Sequence, residues 1–167
     1  MNPMDMIGNN LQANQQKGLV IMRLFIGWHF LYEGVIKLFN PNWTSKFYLL
    51  SAEGFTKPLF TWLASDGVVG VIDMLNVLAL VIVGLSLILG LSERVGAIIG
   101  IGLLILYYCA HPAFPGLEQA GTEGSYFLIN KNLIEAAALY VIYLCPTGHY
   151  FGLRGLLNRR SLGATNV

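Results

Sequence analysis

One stretch limits what this chain can become. Gly18 to Phe39, GLVIMRLFIGWHFLYEGVIKLF, is apolar over the length of a bilayer yet carries Arg23, His29, Glu33 and Lys37. A spanning helix needs roughly 20 residues at ~1.5 Å rise each, and an ionisable group at its centre costs at least ~2.5 kcal/mol. Four in one segment must therefore share a face. At ~100° per residue they fall within about a third of the circumference, with Glu33 and Lys37 in the favourable acid-before-base order at i,i+4. That face meets protein or water, not lipid.

The rest of the composition points the same way, being 55% hydrophobic and 11% charged. A soluble domain carries roughly twice that charged fraction, so the chain reads as an integral membrane protein whose first partner is the lipid bilayer. A net charge of +1 gives no reason to expect a nucleic-acid partner. With 167 residues there is room for a single all-α domain, a polytopic bundle of four transmembrane helices. The polar stretch 1–17 lacks the pattern of a cleaved signal, so the first helix is expected to stay.

In order, the expected spans are 18–39, 67–89, 94–111 and 130–145, followed by a basic tail over 146–167. Between the first two, Thr44 to Ala64 puts Lys46, Glu53 and Lys57 on one side of its periodicity and large apolar residues on the other. This segment reads as one or two short interfacial helices across the mouth of the bundle, divided at Gly54 and Pro58. Trp43 stands at a membrane interface. Gly96, Gly100 and Gly102 suit close helix packing in the third span. The irregular loop 113–127 separates the third span from the fourth. Lys and Arg are in excess on the side of the termini, which predicts cytoplasmic termini in a bacterial inner membrane.

Counting turns from the helix ends gives each polar residue a depth. Glu33, Asp73 and Glu135 fall in one layer ~7 to 8 Å outward of the midplane. Tyr107, Tyr108 and His111 lie at or just above that layer, Lys37 and Lys131 about one turn further out, and His29 and Asn76 deeper. Charges inside a membrane mark a pathway or site by default, and three neighbouring acids favour a shared proton. Bridging between helices is the plainer reading for any one of them.

Other chemistries fit less well. Cys109 falls near the outer end of the third span and Cys145 near the inner end of the fourth, too far apart for a disulfide, and there is no C-x-x-C for a thiol relay. His29 and His111 are the candidate haem ligands, but they are separated by ~9 Å along the normal and nothing in the spacing requires haem, so none is expected. No metal-ligand motif is present, so no metal is expected.

The residues resemble a known family. RLFIGWHFLYEGVIKLFNPNWTS is similar to the opening signature of the DoxX/DoxD membrane proteins. NVLALVIVGLSLILGLSERVGAIIG resembles their second and third helices, and YYCAHPAF followed by EGSYFLINKNLIE resembles their C-terminal motif. The matching polar positions are Arg23, Glu33, Lys37, Trp43, His111, Glu123, Asn130, Lys131, Asn132 and Glu135. The resemblance implies a four-helix membrane subunit of a sulfur-linked respiratory oxidoreductase, passing electrons from thiosulfate to quinone together with a DoxA-like or other soluble redox partner.

The functional expectation is a quinone-linked oxidoreductase subunit. His29, Glu33, Asp73, His111 and Glu135 are its candidate catalytic groups, with His29 and His111 at the quinone. Lys37, Lys131, Asn132, Asn76, Trp43 and Tyr108 are the candidate substrate-binding residues. Two alternatives stand beside it: a proton- or ion-coupled transporter, acting as a homodimer, and a membrane anchor for a soluble oxidoreductase.

Overall fold

The computed structural model describes residues 3–114 and 125–155. Helix α1 runs from Pro3–Leu38, so the segment before Gly18 continues the first span as helix instead of forming a separate tail. Nothing between Pro3 and Leu38 stops it, since the next proline is Pro41, just past its end. The interfacial segment forms α2 (Lys46–Leu50), a 3₁₀ turn (Gly54–Thr56) and α3 (Lys57–Leu63). Gly54, at φ 73°, makes the break, whereas Pro58 sits in the first turn of α3, where its missing N–H costs no helical bond.

Helix α4 (Val69–Leu89) ends at Gly90, whose φ of 66° allows the left-handed cap that α5 (Glu93–Ala110) follows. A two-stranded hairpin, β1 (Ser125–Tyr126) and β2 (Ile129–Asn130), leads directly into α6 (Lys131–Leu144). Asn130 caps α6, its side chain accepting from the Leu133 N–H at 3.2 Å.

Among the described residues, three helical stretches are long and apolar enough to cross a membrane: Gln12–Leu38, Val69–Leu89 and Glu93–Ala110. The fourth expected span is a 14-residue helix, about 21 Å at ~1.5 Å per residue, short of a ~30 Å hydrocarbon core. The chain is thus an all-α membrane protein with three such helices and a shorter fourth packed among them.

Helix α1 lies along α4, α4 along α5, and α5 along α6, whereas α1 and α6 meet only briefly. Glycines set the first of these contacts. A Cβ on Gly84 would come within 2.5 Å of the Leu31 backbone nitrogen, and one on Gly34 within 2.8 Å of Val81. Close approach of this kind is how helices gain packing energy where no hydrophobic drive separates them from lipid. On α5, Gly96 faces Ser86 and Gly100 faces Leu139, but Gly102 has nothing near it and looks outward. Phe30, Leu80, Val83, Leu87, Leu104 and Leu139 fill the centre of the bundle. A smaller cluster of Leu49, Ala52, Phe60, Ala64 and Ala110 seats α2 and α3 over the end where α4 begins and α5 finishes.

Candidate functional site

The brief contact between α1 and α6 leaves a cleft of about 630 Å³ on the side of the bundle. Its long part is apolar, bounded by Ile21, Met22, Phe25 and Ile26 of α1 and by Ile134 and Ala138 of α6. Its polar residues are His29, Lys131 and Glu135. The His29 Nδ1 lies 2.7 Å from Glu135 Oε1. This pair is open: the His29 side chain is 54% exposed and Glu135 16%. The local fold puts each group there. Asn130 starts α6 at the right place, so Lys131 falls in its first turn and Glu135 one turn later on the same side.

Along α1, the charged face continues outward from His29. The Lys37 ammonium donates to Glu33 Oε2 one turn away and lies 5.6 Å from the centre of the Trp43 ring. Glu33 stands one turn beyond His29 on α1, and Lys131 shares the cleft with His29 and Glu135. His29, Glu33, Lys37, Lys131 and Glu135 therefore make one electrostatic group, with Trp43 over its far end.

The remaining expected site residues are held elsewhere. The Asp73 carboxylate accepts from the backbone N–H of Ser45 at 2.8 Å and from the Ser45 hydroxyl, fixing the start of α2 to α4. The expected layer of three carboxylates thus resolves into three separate pairings: Glu135 with His29, Glu33 with Lys37, Asp73 with Ser45. Each carboxylate finds its own donor, which spares it the cost of facing another. Asn76 accepts from the Tyr107 hydroxyl. The Tyr108 hydroxyl donates to the Leu128 carbonyl at 2.9 Å and ties α5 to the hairpin.

His111 packs edge-on against Tyr48 at 4.5 Å between ring centres, with its Nε2 3.3 Å from the Tyr48 carbonyl. The two histidines thus serve different neighbourhoods, and His111 does not line the cleft that His29 lines. Asn132 is partly buried just past Lys131. Glu123 lies outside the described residues. The two cysteines are both free thiols.

A second charged pair, which hydropathy alone does not announce, sits at the other end of the bundle. Arg23 is 2% and Glu93 3% exposed. The Arg23 guanidinium donates to Glu93 Oε1, to Thr147 Oγ1 at 3.0 Å and to the Phe151 carbonyl at 2.6 Å. Glu93 Oε2 also accepts from the Thr147 N–H at 2.8 Å. Gly148 and Gly152 press directly on Gly90 beside this node. Sequence reading puts Arg23 on the charged face of the first span and leaves Glu93 between the second and third spans. What it lacks is the return of the chain after α6, which closes the node.

Compared with known proteins, the chain matches the family model described as DoxX over residues 18–112. The match takes in the polar face of α1, the interfacial segment, α4 and α5, and ends before the hairpin and α6. Neither the curated proteins nor the solved structures gave a match.

Proposed function

The chain belongs to the DoxX family, and on that footing we propose that it is the membrane subunit of a quinone-linked oxidoreductase acting on a small sulfur anion of the thiosulfate kind. The α1–α6 cleft carries this reading. It opens sideways between helices, is apolar along most of its length and carries His29, Glu135 and Lys131. An isoprenoid chain fits the apolar part and a polar ring the other, which is the usual build of a small-molecule site: apolar walls with a few placed polar groups.

A bound quinone would supply a two-electron, two-proton acceptor. Glu135 holds His29 by Nδ1, so Nε2, which has no hydrogen-bond partner among the described residues, is the atom that meets a carbonyl oxygen. Lys131 adds a positive charge beside it, and Lys37 and Lys131 together draw an anion toward the outer face. A DoxA-like or soluble partner provides the surface on which the sulfur compound is oxidised.

In this reading α6 is the fourth span, with the hairpin before it and the turn after it completing the crossing. The excess of Lys and Arg at the Arg23 end puts both termini in the cytoplasm of a bacterium. Packing favours redox over transport, since Phe30, Leu80, Val83, Leu87 and Leu104 fill the middle of the bundle where a substrate path would run.

The test is solvent extraction of the purified protein followed by quinone analysis, then thiosulfate- or sulfite-driven quinone reduction in proteoliposomes. Co-purified quinone and a reduction rate lost in Glu135→Gln and in Lys131→Ala support the reading. Absence of bound quinone, or uptake of labelled substrate without redox change, overturns it.

A further inference from the structure

We infer that His29, Glu33 and Lys37 of α1, with Glu135 of α6, form a one-sided proton path joining the cleft to the aqueous face at which α1 ends. The three α1 residues stand at i, i+4 and i+8, so each lies about one turn, ~6 Å, beyond the last. Two of the links are direct. Glu135 holds His29 at 2.7 Å, and Lys37 donates to Glu33. His29 and Glu33 stand one helical turn apart with no direct contact, a separation that a single water would bridge, and the Glu33 side chain is 45% exposed. Lys37 lies in the last turn of α1, next to Trp43, where the helix leaves the apolar layer.

Toward the other end, no titratable side chain among the described residues lines the cleft. Past His29 its α1 wall consists of Ile26, Phe25, Met22, Ile21 and Gly18. Arg23, although on the same helix, is buried against Glu93 and Thr147. The other charged or titratable groups facing the path are Lys131 of α6 and Tyr107 of α5. The Tyr107 phenol is committed to Asn76 of α4. Lys131 keeps the path from accumulating protons, and the Glu33 carboxylate offsets the charge of Lys37.

Each transfer is a plain exchange. A proton from the outer water forms an O–H bond on Glu33. That bond breaks as a water between Glu33 and His29 takes up the proton and delivers another to Nε2 of the imidazole, whose Nδ1 stays on Glu135, and the new Nε2–H bond breaks when an acceptor in the cleft takes the proton. No electrons move along the path. The inference deepens the reading above, because it makes the cleft the place where protons are consumed, yet its test needs no quinone.

The full chain, labelled with ¹⁵N-histidine, is reconstituted in liposomes of known sidedness. The His29 ring signal, assigned by its loss in His29→Gln, is followed while the pH is stepped on one side and clamped on the other. His29 should follow the pH at the face where α1 ends. Its proton exchange should slow by about 100-fold in Glu33→Gln, the low end of what one positioned proton-transferring group contributes, and recover in part in Glu33→Asp. Unchanged exchange in a folded Glu33→Gln variant, or His29 following the opposite face, overturns the path. Quinone content measured on the same samples separates the two readings: no quinone with a Glu33-dependent His29 removes the function above and leaves the path standing.

Discussion

Arg23 and His29 lie about 9 Å apart along one helix at ~1.5 Å per residue, and each is paired with a carboxylate from another helix. The Arg23–Glu93 pair is sealed in protein, with further hydrogen bonds from the guanidinium to the segment after α6 and from that segment back to the carboxylate. The His29–Glu135 pair is open to a cleft, and His29 Nε2 has no partner among the described residues. A closed node of this kind ties chain segments together, whereas an open one at the polar end of an apolar cleft has spare bonding capacity for a ligand. Two pairs of side chain and carboxylate along one helix thus differ sharply in burial.

The largest effect expected from breaking this contrast is on the closed side. Glu93→Gln leaves a buried guanidinium without its counter-charge, which should lower stability by about 3–5 kcal/mol in detergent unfolding. Glu135→Gln, at the more exposed pair, should cost less than about 1 kcal/mol by the same assay while removing the ligand. A smaller loss for Glu93→Gln than for Glu135→Gln would erase the distinction. Replacing both members of the closed pair, Arg23→Met with Glu93→Leu, should recover much of the loss, since apolar packing can substitute for a buried ion pair.

Next in size is the contact that frames the cleft from behind. Gly84→Val would force α1 from α4 at Leu31, and overpacking of this kind costs about 1–3 kcal/mol. The same change at Gly102, which faces open space, should be near neutral. Equal losses at the two positions would mean that the α1–α4 crossing is not set by close approach.

Much of this was legible in the sequence. Hydropathy places α4 and α5 to within two residues of their ends, and the Glu33 and Lys37 spacing announces their pairing along one helix. Asn130, Lys131 and Glu135 stand out because polar residues opening an apolar helix are costly without a reason. The pairings between helices were not legible. Turn counting gives a residue's depth but not the direction it faces around the bundle. Asp73 thus shares a depth with Glu33 and Glu135 but bonds to Ser45 of the interfacial segment. Glu93 is hidden for a related reason, since its partners Arg23 and Thr147 lie 70 and 54 positions away in sequence. The helical form of the residues before Gly18 is hidden in the sequence because hydropathy marks where the apolar span begins, not where the helix does.

A smaller effect belongs to the lid of α2 and α3. Ser45→Ala removes the hydroxyl donor to Asp73 and should cost about 1 kcal/mol. Hydrogen exchange should rise over α2 with α5 unchanged, and a rise spread across the bundle would contradict a local role. Smallest of all is the surface pair of Lys46 and Asp66. The Lys46 ammonium beside it holds the Asp66 carboxyl below its ordinary range. A depressed carboxyl contributes stability above its unfolded value and loses it as pH falls through the folded one. For an exposed, solvent-screened pair that contribution is small, so Lys46→Ala should lower the unfolding midpoint only slightly at neutral pH, and the difference should vanish in acid.

The contrast between the two ends rests on the cleft being a binding site, and Ala138→Phe tests that most directly. Ala138 lines the apolar part of the cleft about one turn along α6 from Glu135, so a phenyl ring there fills the space without removing a charged group. Quinone content of the purified variant, measured beside its unfolding midpoint, should fall to background while the midpoint stays within a few degrees of the parent. Quinone retained at the parental ratio in a folded Ala138→Phe protein would contradict the account.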